Sequence, residues 1–114
     1  LGDVCMSPKV LPIMDRLNGR KVLIKGNHDV HKMSQYGKYF YDIRGSHLLG
    51  KMILTHVPLH PMNLDRFPVN VHGHLHEHLV RGVDGSLDPR YVSVCVEHTN
   101  YAPVPLEEVQ KRCL

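Results

Sequence analysis

Apolar residues in this chain fall into short runs, and the spacing within each run sets an expected element. Ser7 and Pro8 open a predicted helix, the serine as N-cap and the proline at the first helical position, where no N–H is needed. Val10, Ile13, Met14 and Leu17 follow at the i, i+3, i+4, i+7 spacing of one buried helical face, and Asn18-Gly19 closes it. Residues 21–24 read as a buried strand running to Gly26. Over 31–41 the pattern breaks: Met33, Tyr36 and Phe40 share a helical face that Gly37 interrupts, so a loop with a weak helix is expected. Ser46–Leu49 and Met52–Thr55 flank Gly50-Lys51 as a hairpin. Pro58, Pro61 and Pro68 predict a rigid, irregular loop over 57–68. Val69–His72 is the next strand, and 91–96 is β-rich after turns at Asp84-Gly85 and Asp88-Pro89. Residues 105–114 carry acid early and Lys111-Arg112 late, matching a helix dipole.

Strands interleaved with helices over 114 residues predict one mixed α/β domain spanning 1–114. A hydrophobic fraction of 42% with 22% charged residues is ordinary globular usage and argues against disorder. No apolar run approaches the ~20 residues that cross a bilayer, so no membrane partner is expected. The net charge of +3 suits an anionic substrate and neither establishes nor excludes nucleic acid. Three cysteines, Cys5, Cys95 and Cys113, form no C-x-x-C pair; they read as idle thiols in a reducing, cytoplasmic setting.

Ten histidines exceed what packing asks for, and their positions are more telling than their number. Residues 22–25 run into Gly26-Asn27-His28-Asp29, 52–54 into Thr55-His56, and 69–71 into His72-Gly73-His74-Leu75-His76. Leu1-Gly2-Asp3 has the look of a fourth such junction. In layered α/β folds, ligands bind beyond the carboxyl ends of strands, where loops converge on one crevice. Carboxylate, amide and imidazole delivered there make a site for borderline transition metals; calcium and magnesium prefer all-oxygen shells.

This series resembles the calcineurin-like metallophosphoesterase family, whose motifs run D-x-H, G-D, G-N-H-D/E, a lone His, then G-H-x-H. Gly2-Asp3, Gly26-Asn27-His28-Asp29, His56 and Gly73-His74-Leu75-His76 stand here in that order. The resemblance implies a four-layer α/β sandwich of two mixed sheets flanked by helices. It implies two divalent ions (Mn, Fe, Zn, Ni or Co) bridged by Asp3, with Asn27, His56 and His74 completing one and His76 binding the other. His28 would be the general acid beside the scissile phosphate, and Asp29 would orient it. Apart from the resemblance, His72 alternates with His74 and His76 on one face of an extended segment, which makes it a candidate for a supporting position. The implied reaction is hydrolysis of a phosphomonoester or phosphodiester, a nucleotide among the candidates, by a metal-bridging hydroxide. The residue types suit it: among these side chains a carboxylate can bridge two ions where one imidazole nitrogen cannot, and a neutral amide ligand leaves the centre positive for an anionic substrate.

The upstream D-x-H motif is absent, so an N-terminal strand carrying it is expected before Leu1, which would make the intact protein a dinuclear enzyme; a chain complete as given would instead hold one ion tightly and catalyse poorly. A non-catalytic metal-binding scaffold on the same fold is the alternative, and loose histidine-rich metal buffering a third. His31, His47, His60 and His98 match no motif position and read as structural, and His78 as surface. Lys9, Lys25, Lys32, Arg66 and Arg81 are available to meet phosphate.

Overall fold

Pro12 decides the shape of the first element, because it has no N–H to give to an α-helical ladder. In the computed structural model, which describes residues 1–113, the segment Pro8–Arg16 winds as a 3₁₀ helix. Ser7 caps it as expected, its Oγ accepting from Lys9 N. Three residues per turn align Leu11 with Met14. Leu11 is buried, while Val10, Ile13 and Leu17 are each about half exposed. The apolar face predicted at 3.6-residue spacing is corrected accordingly.

Strand β1 (Val22–Ile24) pairs in parallel with β2 (Asp42–Arg44), Leu23 lying opposite Ile43. Between them α1 (Met33–Tyr36) is a single turn. Its Tyr36 is fully buried and packs with Leu11 and Leu23, with Tyr39, Phe40 and Ile43 around them.

The predicted hairpin forms at its predicted residues: β3 (Ser46–Leu49) lies antiparallel to β4 (Met52–Thr55) around Gly50. Strand β5 (Val69–His72) adds in parallel to β4, and β6 (Tyr91–Ser93) in parallel to β5, giving the order β3-β4-β5-β6. Alternation along these strands sends Met52, Val69, Val71 and Val92 to one face. There they pack on Val109 of α2 (Leu106–Arg112), the helix expected near the carboxyl end. The result is an α/β molecule with one two-stranded and one four-stranded sheet. Only the larger is mixed; the smaller is wholly parallel, which corrects the expectation of two mixed sheets.

The other face of the larger sheet is polar and equally buried. Asn70 is 0% exposed, and its Nδ2 donates to Ile53 O at 3.0 Å and to Thr55 Oγ1 at 2.9 Å. Its Oδ1 accepts from Leu59 N at 2.8 Å, and Tyr91 Oη donates to Leu59 O at 2.7 Å. These bonds fasten the segment after His56 across the sheet. That segment contains a 3₁₀ helix, Pro61–Asp65, where an irregular loop was expected. The β-rich run at 91–96 likewise stops at Ser93 and turns into a 3₁₀ helix, Val96–His98. Among the described residues, no helix is long and apolar enough to cross a membrane.

Candidate metal centre

Two glycines allow the amino-terminal residues to touch the loop after β1. A Cβ on Gly2 would sit 2.5 Å from His56 Nδ1 and 2.7 Å from Gly26 Cα; one on Gly26 would sit 2.2 Å from Asp3 Oδ1. Backbone therefore lies on backbone, and Asp29 stitches the two segments together. Its fully buried carboxylate accepts from Asp3 N and Gly26 N, each at 2.8 Å, and from Val4 N at 2.9 Å. Asp3 is held in turn by His28 N, which donates to Oδ1 at 2.9 Å. Its other oxygen, Oδ2, is left facing His56 Nε2 at 3.2 Å.

Four donor atoms from four chain segments meet at that point. His56 Nε2 is 2.9 Å from Asn27 Oδ1, and His74 Nδ1 is 3.1 Å from the same oxygen and 3.2 Å from His56 Nε2. His56 is 5% exposed, and its Nδ1 faces Leu1 O at 2.7 Å. A carbonyl oxygen can only accept, so Nδ1 carries the hydrogen and Nε2 is left as a lone pair. That lone pair looks at two further acceptors, the oxygens of Asn27 and Asp3. Without charging a ring, the only hydrogen the whole group could hold is one on His74 Nδ1, and in the other tautomer it holds none. Such crowding of electron pairs is unfavourable unless a cation lies among them. Metal–ligand bonds of ~2.0–2.1 Å put neighbouring donors roughly 2.9–3.4 Å apart, and the spacings here match. Asp3, His56 and His74 in fact form a cluster whose ligand atoms all lie within 4.8 Å of one another.

The backbone is strained at the same place. Asp3, His74 and His76 adopt φ of 55°, 68° and 55°, the left-handed region that costs non-glycine residues of order 1–3 kcal/mol each. Three of the expected ligands thus sit in conformations that tertiary contacts must enforce.

The remaining predicted residues are placed differently. His76 lies on the rim of the same hollow, a space of about 240 Å³, with its Nδ1 3.0 Å from Glu97 Oε1. His28 is exposed, and its backbone rather than its ring is what touches Asp3. Both oxygens of Asp29 are committed to main-chain N–H groups, so its contacts are with Asp3, Val4 and Gly26 instead of the His28 ring it was expected to orient. His72 is 1% exposed, donates from Nδ1 to Gly73 O at 2.8 Å and packs edge-on against Tyr91. Burial pushes its pKa below the usual histidine range. Among the other histidines, His60 caps Pro61–Asp65, His31 packs on Tyr36 and His47 contacts Arg44. On the far side of Asn27 and His56 runs an open groove of about 530 Å³, with Lys25 and Ser46 on its walls.

Sequence reasoning missed two residues. Asn70 sits in an apolar run, and nothing local marks it as the tether of the His56 loop. Glu97 follows β6 as Asn27, His56 and His74 follow their strands, so the rule of strand carboxyl ends, carried one strand further, would have found it. The three thiols are free; burial raises the pKa of Cys5 and Cys113 above the ordinary thiol range, as suits idle side chains.

No family model matches the chain. An uncharacterized protein of Methanocaldococcus jannaschii, MJ1445, is 32% identical over 116 residues, which cover 97% of this chain and 62% of that protein. The chain therefore spans less than two thirds of that relative's length. Among solved structures, a protein of unknown function from Aquifex aeolicus, AQ665, superposes with a TM-score of 0.74 at 25% identity, covering 97% of this chain and 73% of the other. That likeness carries the α/β architecture.

Proposed function

We propose that the chain belongs to a metal-dependent phosphoesterase of the calcineurin-like type, hydrolysing a phosphomonoester or phosphodiester. The observation that carries this reading is the meeting of Asp3 Oδ2, Asn27 Oδ1, His56 Nε2 and His74 Nδ1, a group that holds at most one hydrogen while both rings are neutral. Those four residues would hold one divalent ion (Mn, Fe, Zn, Ni or Co), and Asp3 with His76 a second. Bound there, the ions would activate a water and neutralise charge on the phosphoryl oxygens.

The chain's own groups account for the rest. Asp29 fixes the height of Asp3 against Gly26, and His28 N–H fixes the turn of its carboxylate. The exposed ring of His28, one residue beyond Asn27, is placed to give a proton to a departing alkoxide. Lys25, on the wall of the groove beside Asn27, suits an anionic ester, a nucleotide included. The four-layer sandwich belongs to this proposal. It is supported by Leu11 and Tyr36 covering Leu23 of the small sheet and Val109 covering the large one. Three unpaired thiols favour the cytoplasm as its setting.

A second reading, a metal-binding scaffold without turnover, is favoured by the commitment of Asp29 to backbone groups, which leaves His28 without that carboxylate. Hydrolysis of bis(p-nitrophenyl) phosphate with added manganese separates the two. We expect manganese-dependent turnover that falls about 10²–10⁴-fold in His28→Ala with bound metal unchanged, and loss of the ion itself in His74→Ala. Metal bound without turnover, even with an N-terminal D-x-H segment restored, would favour the scaffold.

A further inference from the structure

Beyond β6 the chain turns through Val96–His98, and this single turn carries Glu97 back over the hollow that holds Asp3, His56 and His74. Glu97 Oε1 lies 3.0 Å from His76 Nδ1. The His76 side chain is 72% exposed and that of Glu97 27% exposed. An imidazole so open to water has no packing to fix its ring, so this one bond sets its orientation. A carboxylate oxygen only accepts, hence Nδ1 carries the hydrogen and Nε2 is left bare. That is the tautomer free histidine favours less, and the one in which a metal-ligating imidazole hands its other N–H to a carboxylate.

An exposed ion pair by itself contributes little, but His76 is also in the left-handed region, at φ 55°. Glu97 also follows a strand of the same parallel set whose carboxyl ends deliver His56 and His74. We infer that Glu97 is a positioning residue: it locks His76 in the Nδ1–H tautomer and presents Nε2 as a donor for a second divalent cation beside Asp3. The cation half of this inference rests on the metal-centre reading above; the tautomer half does not.

The test uses the full chain with ¹⁵N-labelled histidine, free of metal, at alkaline pH where the imidazoles are neutral. Long-range ¹H–¹⁵N spectra report the tautomer, and His76→Gln identifies the resonances. We expect Nδ1–H at His76 in the parent, a change to predominantly Nε2–H in Glu97→Ala, and the parental tautomer in Glu97→Gln, which keeps an acceptor oxygen. Cobalt titration should then find two ions per chain, with Glu97→Ala weakening the looser one by ~10-fold or more and sparing the tighter. Nε2–H in the parent, or no change in Glu97→Ala, overturns the positioning role. The expected tautomers with only one ion bound, or with the looser affinity unchanged, overturn the second cation. Failure to bind cobalt at all would sink the metal centre itself, whatever the tautomer result.

Discussion

One methyl group at residue 26 would collide with Asp3 Oδ1 at 2.2 Å and Asp3 N at 2.4 Å. Gly26 is therefore as much a part of the candidate centre as the four side chains are, since it sets how closely Asp3 approaches Asn27 and His56. Gly26→Ala should cost about 1–3 kcal/mol of stability through overpacking. It should also weaken divalent-metal binding at least ~10-fold by displacing a ligand; thermal unfolding and metal titration on the same sample check both. At this scale the sequence was largely legible. Asp3, Asn27, His56 and His74 meet because each follows a glycine-marked or strand-ending junction visible in the primary structure. The role of Asp29 was not legible, because a carboxylate next to a histidine reads as its partner until the main-chain N–H groups of distant residues are seen to claim both oxygens.

Elements were read well where period and turn chemistry agreed, and poorly where one residue changed the period. The hairpin at Ser46–Thr55 has alternation and a glycine at the turn, φ 61°, and forms as written. Pro12 turned a 3.6-residue pattern into a 3.0-residue one and put Val10, Ile13 and Leu17 outside. β2 has one apolar residue between Asp42 and Arg44, too short a run to show a period. Asn70 was hidden because strands in a parallel arrangement are buried on both faces, so a polar residue among valines need not point to water. Its truncation tests that point. Asn70→Ala strands the N–H of Leu59 and the acceptors at Ile53 and Thr55, and should cost about 2–3 kcal/mol in denaturant unfolding.

The turn before β6 gives a pH-dependent counterpart. Hydrogen bonds from Arg90 hold the Asp88 carboxyl below the usual carboxylate range. A depressed folded pKa means the unfolded chain binds the proton more readily. The contribution is thus full above the ordinary carboxylate pKa near ~3.9 and is lost as pH falls through the lower folded value. Asp88→Asn should flatten the acid limb of the stability profile and leave the slope above pH ~5 unchanged, measured by urea midpoints across pH.

For the molecule as a whole, side chains from the loops after β1, β4 and β5 converge on one point, so metal binding and folding are linked. Asp3, Asn27, His56 and His74 come together only in the folded chain, and an ion held by them stabilises that state by RT ln(1 + [L]/Kd), about 2.7 kcal/mol at a hundredfold excess over Kd. Manganese or cobalt should raise Tm, and a chelator should return it to the metal-free value. In His56→Ala the metal-dependent increment should vanish.

All of this stands on the claim that Asp3, Asn27, His56 and His74 surround a divalent cation. Crystals grown with manganese and measured at a wavelength where manganese scatters anomalously test it most directly. A strong anomalous peak is expected within bonding distance of Asp3 Oδ2, Asn27 Oδ1, His56 Nε2 and His74 Nδ1 together. A peak elsewhere, or none at saturating manganese, would contradict it.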